Sequence, residues 1–535
     1  MAALFCAGIT AAPFPVLAAA PPALKQQAAA NVDANAKLVQ QMVDQVFSYA
    51  EPGYQEFRTS DYLTGILEKN GFKISRGIAG IPTAWTATWG DGGPLIALGS
   101  DLDDLRGLSQ YPGIPHLQPM VAGAPGHGEG HNTGMPLQIA AALAAKAVME
   151  KNHIKGRLML WPGIAEELLG SKAYYVRAGL FKDVDACLFV HVGNTLGTSW
   201  GPSNSTGMVS VEYTFHGKSA HAAADPWDGR SALSAVEIMD VAWSFRREVL
   251  HISQRSHRVI SNGGDQPNVV PSEASVWYYF REHDFASVKE LYDTGNTIAE
   301  AAAMASGTTV THQLLGEAAP YYGNRPLAEA AYENVKAVGM PKWTEDDQAF
   351  AKMVQTENHL RLQPLATGVG PLRAAVPEGQ ATGGASDDIG DVTWNLPTIT
   401  INYPSNIPGA VTHSTIAAMS EATPIAHKGA VAGAKVVAMT VLDLMTTPQT
   451  LAAARDFFQN TQLKSQKYVS MLAPGDQPAI HINDELMAKM RPQMEKFYYD
   501  PAKYASYLDQ LGISYPSGTL KPPSQPQSEG PTLTN

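Results

Sequence analysis

Cysteine is almost missing from this 535-residue chain, which holds only Cys6 and Cys187. The first of the two lies in "MAALFCAGITAAPFPVLAAAPPALKQQ", a segment apolar from Ala2 to Ala20 that becomes Ala-rich just before Pro21. That pattern resembles the apolar region and small-residue cleavage site of a secretory signal, although no Lys or Arg precedes Lys25. A start site that lost a charged leader accounts for the gap. Cleavage after Ala20 removes Cys6 and leaves Cys187 alone, so an intramolecular disulfide is excluded. The expected location is periplasmic or secreted, or cytoplasmic if the segment is not a signal. Charge is scarce too. Charged residues make up 16% of the chain, the formal net charge is −12, and no basic run occurs. Phosphate binding needs clustered Lys and Arg, so a nucleic-acid partner is not expected. Past the N-terminus no segment offers about 18 uninterrupted apolar residues, and no membrane span is expected. What is present is a hydrophobic content of 44% in a chain too long for one core. Such a chain is globular, with two domains or more.

Strand and helix patterns alternate along most of the length. "PLIALGS", "GRLMLWP", "DACLFVHVG" and "LPTITINYP" read as strands, and "MPLQIAAALAAKAVMEK" and "TPIAHKGAVAGAKVVAMTVLDLM" read as helices. This alternation predicts an α/β catalytic domain built on a mostly parallel central sheet covered on both faces. A strand–helix–strand–helix block over 207–311 interrupts it and predicts an inserted α+β domain. The resulting division is a signal-like segment 1–30, catalytic parts 31–206 and 312–445 around the insert, and a C-terminal extension 446–535. That extension is helical first and ends in a Pro/Ser-rich tail.

The stretch "GAPGHGEGHNTGM" sets His127, Glu129 and His131 at alternate positions between glycines. Alternation on an extended backbone places the three side chains on one side, and two imidazoles with a carboxylate form a donor set for a divalent metal. A polar Gly-rich loop is the plain alternative. Further polar residues fall where parallel strands end, which is where such sheets hold their ligands. Asp101 and Asp103 follow "PLIALGS", Glu166 and Glu167 follow "GRLMLWPGIA", His191 ends "ACLFV", and His413 follows "LPTITINYP". Singly each has an ordinary explanation, such as acidic residues at a helix start. Together they predict convergence above one sheet edge. "GTSWG" at 197–201 matches a nucleophile pattern, but "WGPSNSTG" after Ser199 cannot start the helix that such an elbow requires.

These residues resemble the cocatalytic-metal aminoacylase and carboxypeptidase-type amidohydrolases. The resemblance is carried by "GHGEGHNTG", "PGIAEELLGSKAYYVRAGLF", "GKSAHAAADPWDGRSAL", "NVVPSEASVWYYFR" and "ASDDIGDVTW". It implies two divalent ions, Zn²⁺ first with Mn²⁺ or Co²⁺ as alternatives, held by Glu129, His131, Glu167, His191 and His413. It also implies a metal-bridged hydroxide as nucleophile and Glu166 as general base. Asp103, with Asp101 as the alternative, orients a ligand. His221, in the insert, steadies the oxyanion of a neighbouring subunit's site. The implied substrate is the amide of a small N-acyl amino acid or aryl-amide conjugate, and the implied assembly is a homodimer formed through the insert. A short-peptide exopeptidase and an inactive binding protein are the alternative functions. One departure stands out. The branch nearest this sequence carries a metal-binding cysteine where Glu129 stands, which leaves the metal's identity open.

Overall fold

The computed structural model describes residues 19–377, 380–381 and 383–520. Three helices open the chain: α1 (Pro22–Ala34), α2 (Ala36–Tyr49) and α3 (Phe57–Lys69). The boundary expected at residue 30 therefore falls inside α1, whose Ala28 and Val32 are fully buried against the body. In α2, Val39, Met42, Val43 and Val46 are buried at the helical repeat, so one stripe of the helix faces the core.

Strands β1 (Lys73–Arg76), β2 (Trp85–Asp91) and β3 (Leu95–Asp101) follow, then α4 (Gly134–Lys151), β4 (Gly156–Gly163), α5 (Lys172–Ala178), β5 (Ala186–Gly193) and β6 (Gly197–Thr198). A short β7 (Gly201–Pro202) leads into the insert. The insert consists of β8 (Gly207–His216), α6 (Ala232–Arg246), β9 (Arg255–Asn262), β10 (Glu273–Glu282), α7 (Phe285–Ser306) and β11 (Thr309–Ala318). The chain returns through β12 (Tyr322–Gly323), α8 (Arg325–Val338), α9 (Glu345–Glu357), α10 (Ile389–Thr393), β13 (Thr398–Pro404), α11 (Thr415–Ala418) and α12 (Pro424–Thr446).

The body sheet has the order β1-β2-β4-β3-β5-β13-β6. Its four central strands, β4, β3, β5 and β13, are parallel, while β1, β2 and β6 pair antiparallel at the flanks. The sheet is thus mixed, with a parallel centre, and not parallel throughout. β3 is buried at all seven positions, as a strand covered on both faces must be. Because the central strands are parallel, Asp101, Gly163, Gly193 and Pro404 all end at one edge. α12 is long and apolar enough to cross a membrane by composition, but most of it is buried inside the body. It packs on α1, α4, α8 and β13 and serves as a core helix.

The insert forms its own antiparallel sheet, β11-β8-β10-β9. Val209, Val211, Tyr213 and Phe215 of β8 alternate into a separate core with Val276, Tyr278 and Phe280 of β10. Helices α6 and α7 cover that face. Asp284 caps α7 by accepting from Ser287 N at 2.8 Å, and Gly307 at φ 68° ends it.

Candidate metal centre

The turn after β4 carries two adjacent glutamates, Glu166 and Glu167. Ala165 and Leu169 both lie in the left-handed region, at φ 52° and 53°, and the 3₁₀ turn Glu166–Leu168 sits between them. Non-glycine residues adopt that region at a cost, so other groups must hold the turn. Glu56 Oε1 accepts from Ala165 N at 3.0 Å. Asp103 accepts from Glu166 N at 3.0 Å through Oδ1 and from Glu167 N at 3.1 Å through Oδ2. Asp103 also takes the Nδ1–H of His131 on its carbonyl oxygen at 3.0 Å, which turns Nε2 toward the site. Asp103 is therefore the residue that orients both the turn and the imidazole.

The five expected ligands converge. His413 Nε2 lies 2.8 Å from Glu129 Oε2 and 3.3 Å from Glu167 Oε2. His191 Nε2 lies 3.7 Å from Glu129 Oε1. Donor atoms of Glu129, His131 and Glu167 lie within 4.8 Å of one another, and so do those of Asp101, His131 and His191. Asp101 thus stands nearer the donor set than an outer orienting role implies. Its Oδ1 accepts from Lys172 Nζ at 2.6 Å, while buried Oδ2 has no protein partner. Glu166 Oε2 stands 4.0 Å from His131 Nε2.

His127 departs from the expected alternation. Its Nε2 meets Val46 O at 3.2 Å and its ring lies against Phe47, away from the other two side chains. The pentad bends, because Gly130 is at φ 115° and a Cβ there would sit 2.6 Å from Glu421 Oε2. At Gly128 a Cβ would meet Leu108 Cδ1 at 2.3 Å and Ser414 O at 3.2 Å, the latter in the turn that brings in His413. Those glycines serve close approach.

Burial and neighbouring charges shift the carboxyls of the site in different directions. Burial works to raise Glu129, but the His413 hydrogen bond and the charges of His191 and His131 prevail and hold it at about 2. Burial and the nearby Glu129 push Glu167 up to about 8. Burial, then Asp387 and Asp101, lift Glu166 well above the usual carboxylate range. Buried His131 Nε2 and Glu167 Oε1 have no hydrogen-bond partner among the described residues. Orphaned nitrogen and oxygen donors among crowded carboxylates fit divalent cations. The residues present suit the metals that the resemblance implies.

Several functional candidates carry no signal in the sequence. Fully buried Lys172 reaches Asp101, Asp387 at 3.3 Å and Asp388. A Lys six residues after Glu166 reads as an ordinary helix residue, so no local pattern marks it. "ASDDIGD" is among the motifs that carry the resemblance, yet its two adjacent aspartates have no expected role. The centre opens into a cavity of about 840 Å³ lined also by Trp200, Tyr279, Arg281, Tyr321, Arg373 and Asp387. Tyr279 forms part of this wall, whereas Trp227 is exposed on the insert and Trp277 donates to Ser210 Oγ. Ser199 lies between β6 and β7 with no helix after it, so the nucleophile elbow is absent. His221 is exposed in the insert and does not line this cavity. Its Nδ1 accepts from Ala223 N at 3.2 Å and Ala224 N at 3.0 Å, leaving Nε2–H as a free donor.

A peptidase dimerisation domain matches residues 204–305. The chain is 33% identical over 447 residues to a subunit of the p-aminobenzoyl-glutamate hydrolase of Escherichia coli, covering 77% of this chain and 90% of that protein. The chain belongs to the M20 family of metal-dependent amidohydrolases and peptidases. At 29% identity the chain is also similar to the Xaa-Arg dipeptidase of Mus musculus, with 82% of this chain and 92% of that one covered. The fold recurs in the aminobenzoyl-glutamate utilization protein from Klebsiella pneumoniae, at TM-score 0.53, 17% identity, and coverage of 77% and 96%.

Proposed function

We propose that this M20 enzyme hydrolyses the amide bond of a small N-acyl amino acid or aryl-amide conjugate that carries a carboxylate. One observation carries this reading: a single cavity has the carboxylate–imidazole centre on its wall and Arg281 on it as well. Arg281 donates to Ser386 Oγ at 2.9 Å, while its buried Nε has no partner. A buried guanidinium donor without an acceptor suits a substrate carboxylate. Glu129, His131, Glu167, His191 and His413 would hold two divalent ions, with Asp101 beside them. When bound, these supply the positive charge that polarises a scissile carbonyl and eases ionisation of water. An all-oxygen and nitrogen donor set takes Zn²⁺, and admits Mn²⁺ or Co²⁺ more readily than a thiolate site would.

Glu166 accepts the proton of the attacking water and passes it to the leaving nitrogen. Asp103 fixes its peptide nitrogen, so the carboxyl stays where the water must be. His221 Nε2–H is the oxyanion donor, delivered from a second copy. An edge strand and a helix with exposed apolar residues support that copy: β9 presents Val259 and Ile260, and α6 presents Val241 and Phe245. Export to the periplasm, read from Ala2–Ala20, belongs to the same proposal.

The test is turnover of a panel that includes p-aminobenzoyl-glutamate, other acyl-amino acids and Xaa-Arg dipeptides. Glu166→Gln is expected to lower kcat by about 10²–10⁴-fold while metal content by mass spectrometry stays unchanged. Activity surviving both exhaustive chelation and Glu166→Gln would sink the mechanism. Preference for the dipeptides would favour the exopeptidase reading instead.

A further inference from the structure

Glu166 has carboxylate neighbours besides the imidazoles of the centre. Oxygen atoms of Glu166, Asp387 and Asp388 lie within 4.8 Å of one another. Asp388 is fully buried and bound to Lys172, but Asp387 lines the cavity and its side chain is a quarter exposed. Asp387 is firmly held. Its Oδ1 accepts from Ile389 N at 2.8 Å and from Lys172 Nζ at 3.3 Å. Its Oδ2 has no partner among the described residues.

We propose that Asp387 is a further catalytic residue, whose Oδ2 accepts the N–H of the scissile amide and so orients the leaving nitrogen toward Glu166. The inference rests on the amide-hydrolysis reading above. A secondary amide brings one N–H that must find an acceptor once water is excluded. As the tetrahedral carbon forms, the nitrogen becomes pyramidal and needs its lone pair facing the proton donor. Oxygens of Glu166 and Asp387 within 4.8 Å of one another are close enough for a single nitrogen to lie within hydrogen-bond reach of both carboxyls. One oxygen, on Asp387, holds the N–H, and the other, on Glu166, delivers the proton to the lone pair. The C–N bond then breaks with its electron pair on nitrogen, and a neutral primary amine departs. The consequence is selectivity: a secondary amide is the preferred substrate, and an ester, which has no N–H, gains nothing from Asp387.

Asp387→Asn isolates the effect. The two donors on Oδ1 fix the amide oxygen there, so the –NH₂ replaces Oδ2 and opposes a substrate N–H. Lys172 keeps Asp101 and Asp388, which preserves the buried pairing. The probes are N-benzoyl-L-glutamate with its ester isostere, and the tetrahedral mimic N-(phenylphosphonyl)-L-glutamate with its P–O isostere. The variant is expected to lose roughly 10- to 100-fold in kcat/KM on the amide and less than about 3-fold on the ester, the scale of one charge-assisted hydrogen bond. By calorimetry, the wild-type protein binds the P–NH mimic at least tenfold tighter than its P–O isostere, and Asp387→Asn abolishes that preference. Equal losses on amide and ester overturn the proposal while leaving amide hydrolysis standing. Equal wild-type affinity for the two mimics overturns it even if the variant fails to fold. A wild-type protein that cleaves neither probe and binds neither mimic removes the amidohydrolase reading, and this inference with it.

Discussion

The family resemblance puts Glu129 where one branch carries cysteine, and Glu129 stands among the imidazoles of the candidate centre. Two imidazoles reach its two oxygens, His413 at 2.8 Å on Oε2 and His191 at 3.7 Å on Oε1. With an imidazole near each of its oxygens, Glu129 is a residue that would supply negative charge to two bound cations. Removing its charge leaves two dications facing each other with less between them. Glu129→Gln is therefore expected to lower the metal stoichiometry measured by mass spectrometry from two toward one per chain. Glu129→Cys restores part of the binding and shifts the preference toward Zn²⁺ over Mn²⁺. If Glu129→Ala keeps two metals and full activity, the carboxylate has no part in the centre.

The segment after α12 is where an element acts on the rest of the fold. Residues 466–483 run across the junction between insert and body. Buried Glu317, near the end of β11, accepts from Ser470 Oγ and from Met471 N, both at 2.5 Å. Tyr468 Oη donates to Asp391 Oδ1 at 2.7 Å, and Asp391 Oδ2 takes Ala319 N at 3.0 Å, where the chain leaves the insert. Arg177 of the body holds Ala473 O at 3.0 Å and Asp476 O at 2.7 Å. The extension thus ties the insert to the body; the Pro/Ser-rich tail from 521 onward lies outside the described residues. Burial pushes the Glu317 carboxyl up to about 7, against the hydrogen bonds that lower it. Ionising it opposes folding, so its contribution to stability is complete below the ordinary Glu value of 4.5 and is lost as pH rises through about 7. Thermal melts of wild-type protein should fall between pH 5 and 8, and Glu317→Gln, neutral throughout, should fall less steeply. Identical slopes would show that Glu317 does not titrate in this range.

At the scale of the whole molecule, the cavity in one chain lacks the histidine that the family resemblance assigns to catalysis. His221 sits exposed on the insert, which also carries Trp227 at 69% and Phe245 at 73% exposure. Apolar side chains that open to water beside an edge strand are the mark of an association surface. Delivery of His221 by a partner has a sharp consequence. His221→Ala and Glu166→Gln, each inactive alone, should regain activity when mixed and allowed to exchange subunits. Each mixed dimer holds one complete site, so recovery should approach about a quarter of the wild-type rate. Mixtures that stay inactive after exchange has been verified by light scattering and mass spectrometry mean that His221 acts within its own chain or not at all.

The residue types of the centre and the strand ends that carry them were legible in the sequence, because both follow from local pattern. Apolar runs of strand length ending in Asp101, Glu166–Glu167 and His191 mark a parallel sheet's ligand-bearing edge whatever the rest of the chain does. The interruption over 207–311 was legible for the same reason, since a change from buried runs to alternating strands is a change of period. Local pattern failed where long-range approach decided the outcome. Alternation put His127 beside Glu129 and His131, but the close passage of Glu421 and Ser414 bends the pentad and turns His127 into the α2 contact. Asp103 was the expected orienting residue with Asp101 as its alternative, and the register of β3 against β4 sets Asp103 under the Glu166 turn and Asp101 beside Lys172. Lys172 and Asp387 had no readable role, because a buried charge cluster exists only once segments more than 200 residues apart are brought together. Periodicity fixes which face a side chain takes within its own element; only packing between elements fixes which charges meet, and the chemistry depends on the charges that meet.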